Sequence, residues 1–109
     1  MVIECGEIRS VPTISRFYGI IIRMYFDDHD PPHFHALYGG HQAIFDIETG
    51  GILHGELPPK AVGMVSEWAR LHRNELIENW HSARERQPIS PIDPLEQEGS
   101  VYFDVVEAR

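Results

Sequence analysis

Ten residues, Asp27-Asp28-His29-Asp30-Pro31-Pro32-His33-Phe34-His35-Ala36, hold three of the chain's seven histidines and three carboxylates. Imidazole exchanges its proton near neutrality and is the commonest metal ligand, so chemistry is expected here. His33 and His35 are two apart, and on a strand both would point to one face. Arg23 and Tyr25 from the run before, and Asp46 and Glu48 from the run after, could join them there. Such a set suits metal-free phosphodiester cleavage. One of His33 and His35 would act as base and the other as acid, with Arg23 stabilising charge that develops on phosphate. On that reading His33, His35 and Arg23 are the catalytic candidates, Asp28, His29, Tyr25 and Asp46 the binding ones, and no cofactor is needed.

The same residues also read as metal ligands. An H-x-H pair on a strand brings two imidazoles to one ion, and Asp28, His29 or Asp30 could complete the shell. Catalytic zinc keeps three protein ligands and one open position. In this alternative His33, His35 and Asp28 hold a divalent metal such as zinc. The plainest account is a solvated sheet face with incidental histidines.

Strands must position these groups. Residues 20–26 form the clearest one, β-branched and aromatic-rich, and 13–18 reads as extended up to Gly19. A strand at 33–38 is followed by a Gly39-Gly40 turn. In 42–48, Ala43, Phe45 and Ile47 alternate with polar Gln42, Asp46 and Glu48, the pattern of a half-buried strand, which only Ile44 breaks. Thr49-Gly50-Gly51 turns the chain into a short strand over 52–57. From Pro59 to about Glu85 the period becomes helical. Val62, Val65, Trp68, Ala69, His72, Leu76, Trp80 and Ala83 share one stripe, flanked by Arg70, Arg73, His81 and Arg84 on one side and by Glu67, Glu75, Glu78 and Glu85 on the other. His72 reads as a core histidine, although a one-residue slip of the strand register would turn it toward His33 and His35. Residues 87–94, with three prolines, predict an extended arm; 2–9 and 101–106 are candidate extra strands.

The expected fold is α+β: a small antiparallel sheet of three to five strands with one long C-terminal helix packed on one face, in two layers. Residues 1–11 form an N-terminal extension, 12–86 the core domain and 87–109 the arm. The face without the helix is left to water or a partner, and His33 and His35 are expected on it.

Bulk properties bound the function. One domain fits 109 residues. The lone Cys5 excludes an internal disulfide and a cysteine-rich zinc site and fits a reducing cytoplasm. The chain start lacks a basic n-region and a long apolar stretch, so neither a secretory signal nor a membrane span is expected. With 9 basic against 17 acidic residues, the net charge of −8 gives no global field for nucleic acid. An RNA ligand would need a local basic patch, and the Arg70–Arg84 flank is the one in sight; a basic protein partner is equally compatible. An exposed sheet edge is compatible with a homodimer.

Three blocks carry a resemblance: Pro12-Thr13-Ile14-x-Arg16-Phe17 with Gly19, Asp28-His29-x-Pro31-Pro32-His33-Phe34-His35, and Glu75-Leu76-x-x-Asn79-Trp80. Over residues 12–83 the chain resembles a family of short bacterial proteins known only as a domain of unknown function. The resemblance implies a gene lying beside a second small one, hence a toxin–antitoxin-type pair and a small protein partner encoded by the neighbouring gene. It assigns no residue a role. Relatives tend to begin at Met-Pro-Thr, so Val11 is expected to mark a non-standard start, with residues 1–10 outside the native protein.

Overall fold

A computed structural model describes residues 12–26 and 28–96. Expectations placed on residues 1–11, on Asp27 and on 101–106 lie outside the described residues. The elements are β1 (Thr13–Phe17), β2 (Ile20–Arg23), β3 (His33–Tyr38), β4 (His41–Asp46), β5 (Ile52–Glu56), α1 (Pro59–Leu71) and α2 (Arg73–Arg84). The strands make one antiparallel sheet in the order β1-β2-β3-β4-β5. Each hairpin follows from local chemistry. Tyr18 and Gly19, both at positive φ, form a two-residue turn whose backbone matches the twist of the flanking strands.

Register separates two faces. Ile22 pairs with Ala36, Ala36 with Ala43, and Phe34 with Phe45. All five are buried, and Ile20 and Phe17 extend this apolar face. α1 lies against it: the Trp68 ring centroid is 5.4 Å from that of Phe17 and 5.7 Å from that of Phe34. Each large apolar side chain buried there contributes roughly 1.5–3 kcal/mol. The other face carries Arg23 opposite His35, Ile21 opposite Leu37, and Ile44 opposite His35 from the far side. Ile44 is thus no break in the β4 pattern; it belongs to a half-buried strip with Ile21 and Leu37.

The single long helix expected over 59–85 is two helices. They part at His72, whose φ of −117° and ψ of 27° leave the helical region. Length gives the reason. Roughly twenty-seven helical residues would span about 40 Å, whereas strands of four to six residues reach only about 20 Å. A straight helix would overshoot the sheet. His72 also supplies a local stop, since its Nδ1 bonds the Glu75 carboxylate in the first turn of α2. The apolar stripe still serves on both sides of the break, burying Val65, Trp68 and Ala69, then Leu76, Trp80 and Ala83. Val62 and His72 are half-buried, and Ala61 and Asn79 are buried in addition.

Residues 87–96 run back over β1 and both helices. The Ile92 amide donates to the Ile14 carbonyl at 2.8 Å, the Trp68 indole to the Asp93 carbonyl at 2.8 Å, and Asn79 exchanges two hydrogen bonds with the Ser90 backbone. The opposite edge, β5, is exposed at every residue. Gly55 there has φ +82°, and a Cβ would run into the Gln42 carbonyl oxygen, so only glycine fits. Among the described residues no helix is long and apolar enough to cross a membrane.

Candidate functional site

β3 begins at the end of the Pro31-Pro32 loop, so its first and third side chains, His33 and His35, enter on the face turned away from α1. The face is the expected one, yet neither ring is open to water: His33 is 8 % exposed and His35 6 %. Tyr25, just beyond β2, lies flat on His35 with ring centroids 4.2 Å apart. Trp80 reaches the end of the sheet from α2 and stands 5.0 Å from His33. Asp28 closes the remaining side. Its Oδ2 is 2.9 Å from His33 Nε2 and 3.6 Å from His35 Nε2.

Hydrogen bonding fixes the chemistry at His33. Its Nδ1 is 2.7 Å from the Pro31 carbonyl oxygen, which can only accept, so Nδ1 carries the proton. In a neutral imidazole Nε2 is then a lone pair, and it faces a carboxylate oxygen. Asp28 is held below the usual carboxylate range. Burial works against its charge, but the His29 amide at 2.9 Å, the bond to His33 and the nearby His35 ring outweigh it. Two acceptors in contact need a cation between them, either a proton or a metal ion. His35 is pushed below the ordinary imidazole value, first by burial and then by His33 beside it, against the pull of Asp28. Both its ring nitrogens are buried without a hydrogen-bond partner. Leaving such groups unsatisfied costs roughly 1–3 kcal/mol each.

The donor set could hold a divalent cation. One ligand atom each from Asp28, His33 and His35 lie within 4.8 Å of one another. Zinc binds nitrogen at about 2.0–2.1 Å, which places the ligands of a tetrahedral ion about 3.3 Å apart. The separations of 2.9 and 3.6 Å bracket that value. The Pro31 carbonyl on His33 and the His29 amide on Asp28 Oδ1 are the kind of partners that aim metal ligands and set their basicity.

Other candidates separate from this group. The His29 side chain is exposed and contributes only its backbone amide. Asp46 is the strand partner of His33, but its carboxylate accepts the Glu48 and Thr49 amides and builds the β4–β5 turn. Arg23 sits opposite His35, half-buried, with its Nε lacking a hydrogen-bond partner. His72 is occupied by Glu75 and Trp68. The basic flank of the helices is partly neutralised, because Arg70 pairs with Glu67 and Arg84 with Asp30. A surface groove between Glu48 and Arg73, Asn74, Ile77 and Glu78 of α2 has largely exposed walls and lacks the convergence of the histidine site.

Two participants escape a reading of the sequence. Trp80 has the periodicity of a core residue, and nothing in its spacing shows that it turns the sheet end toward His33. Arg84 ties the site loop to α2 through Asp30 Oδ1 at 3.1 Å while lying over the Trp80 ring. The co-occurrence of the histidine block and the Glu75–Trp80 block hints at Trp80 and does not reach Arg84.

No curated protein and no solved structure matches the chain. Residues 19–81, more than half the chain, match the family described as domain of unknown function DUF4160, a span running from the β1–β2 turn through the histidine block to α2. The chain therefore belongs to the DUF4160 family.

Proposed function

We propose that the protein is a divalent-metal protein whose centre is Asp28, His33 and His35. The observation that carries this is the convergence of His33 Nε2, His35 Nε2 and Asp28 Oδ2 around one point, with His33 fixed as a lone-pair donor and His35 making no hydrogen bond. Two imidazoles and one carboxylate leave a coordination position free, the arrangement of hydrolytic zinc and of non-haem iron(II) sites. When bound, the metal would supply an activated water or a Lewis acid. The chain's own part is to exclude bulk water with Tyr25 and Trp80 and to hold each ligand in one orientation.

Elemental analysis of protein purified without an affinity tag tests this. Near-stoichiometric zinc, iron, nickel or manganese is expected, and it should disappear in Asp28→Asn and His35→Ala. Wild-type protein that stays empty after incubation with each of these ions would remove the centre.

A second reading has its own observation, the burial of His35 beside the His33–Asp28 pair, which pushes its imidazole below the ordinary value. A proton between His33 and Asp28 would make His33 an acid and His35 a base, giving metal-free phosphodiester cleavage. Cleavage of RNA that persists in chelator selects it. On the strength of the resemblance, we place either site in one member of a toxin–antitoxin-type pair. Growth arrest on expression of the chain alone, relieved by His33→Ala and His35→Ala, supports the toxin role; arrest undiminished in both variants removes these histidines from it.

A further inference from the structure

We infer that Arg23 is the anion-recognising residue of the histidine site, and that the ligand it receives is a small phosphate ester. This rests on Asp28, His33 and His35 forming a ligand site, but not on whether a metal or a proton fills it.

Arg23 ends β2 directly opposite His35, on the same face. Cross-strand partners stand about 4.5–5.5 Å apart at Cβ, so the guanidinium stem begins beside the His35 ring. Its Nε is buried with no hydrogen-bond partner, and among the described residues it makes no ion pair. Among the described residues, Asp28 is engaged by the two histidines and Asp46 by its own turn. An arginine held half-buried beside the His35 ring, with no counter-charge among the described residues, is arranged for an anion that comes from outside. Its planar fork matches phosphate oxygens two at a time.

Size follows from the surrounding charge. Arg16 is the second cation of this face, since it pairs with Ile21 and therefore shares a side with Arg23. Beyond β3 the same face turns apolar and then carries His54 and Glu56. Two guanidinium groups in a chain of net charge −8 match one or two phosphates. They do not make the track that a nucleic-acid strand needs. The half-buried strip of Ile21, Leu37 and Ile44 beside them gives an organic ester an apolar surface to rest on.

Calorimetric titration of inorganic phosphate, of a nucleoside monophosphate and of a twelve-nucleotide single-stranded RNA decides the matter, with metal content and melting temperature measured on every sample. Wild-type protein should bind phosphate and the monophosphate, the latter more tightly. Arg23→Met should weaken both by roughly tenfold or more, the loss of one charge-assisted hydrogen bond, with metal content and melting unchanged. Arg23→Lys should recover part of the loss, and Arg16→Met should show a smaller one. Absence of phosphate and monophosphate binding in wild type, or equal binding by Arg23→Met, overturns the inference. RNA binding much tighter than the monophosphate, with a steep salt dependence, overturns the small-ester class. Arg23-dependent binding in protein that takes up no metal removes the metal centre and leaves the inference standing.

Discussion

Asn79 and His35 are both buried polar side chains, 5 % and 6 % exposed, in regions that treat them oppositely. At the seam between α2 and the returning C-terminal segment, Asn79 donates to the Ser90 carbonyl and accepts from the Ser90 amide, at 2.8 and 3.0 Å. Across the sheet, His35 is covered by an aromatic ring and bonds through neither nitrogen. A buried polar group that is fully used holds the fold together. One that is buried and unused has been kept by something other than stability, and that difference, more than the count of histidines, marks the site.

Substitutions can break this contrast. The largest effect is expected at the seam: Asn79→Ala strands both Ser90 backbone groups and should cost about 2 kcal/mol or more, read from urea denaturation, with metal content unchanged. At His35 the outcome should invert. His35→Leu replaces two unsatisfied nitrogens with an apolar side chain, so stability in chelator should change by less than about 1 kcal/mol or rise, while metal uptake is lost. Two equal stability losses would mean that His35 is simply a second core residue.

Acid sharpens the contrast further. The folded-state value of His35 lies below the ordinary 6.5, so the unfolded chain binds a proton first as pH falls. Stability is thus whole above about 6.5 and declines below it, with a slope from this one group of at most about 1.4 kcal/mol per pH unit. Asp28, also lowered, adds a loss of the same sign below its ordinary 3.8. Denaturation midpoints in chelator between pH 7 and 5 should fall for wild type and for Asn79→Ala, and flatten for His35→Leu. The smallest effect is expected at the exposed Arg84–Asp30 pair. Arg84→Ala should cost no more than about 0.5 kcal/mol, although it loosens the loop carrying Asp28; a large loss of stability there would mean that the loop belongs to the structural half of the molecule.

Much of the sheet could be read from the chain. β3 opens at His33 as its residue pattern indicates, and the outward face of the His33–His35 pair follows from a period of two. What stayed illegible is three-dimensional accounting. Asp46 is acidic and opposite His33, yet the turn it caps takes its Oδ1, and local hydrogen bonds of that kind leave little trace in spacing. The helix break is invisible to periodicity because the stripe keeps its phase through His72; only the mismatch between helix and strand lengths demands it. Burial of the imidazoles depends on Tyr25 folding back over His35, and no sequence pattern announces that an aromatic residue past the end of a strand will do so.

Trp80 is packed into the hydrophobic core and at the same time borders the His33 ring. The chain has one other tryptophan, Trp68, which lies near His72 instead. Replacing Trp68 with phenylalanine would therefore leave a single indole whose emission senses charge arriving at or leaving the imidazole beside it. The fold carries its own optical gauge of site occupancy, and no added dye is required to read it.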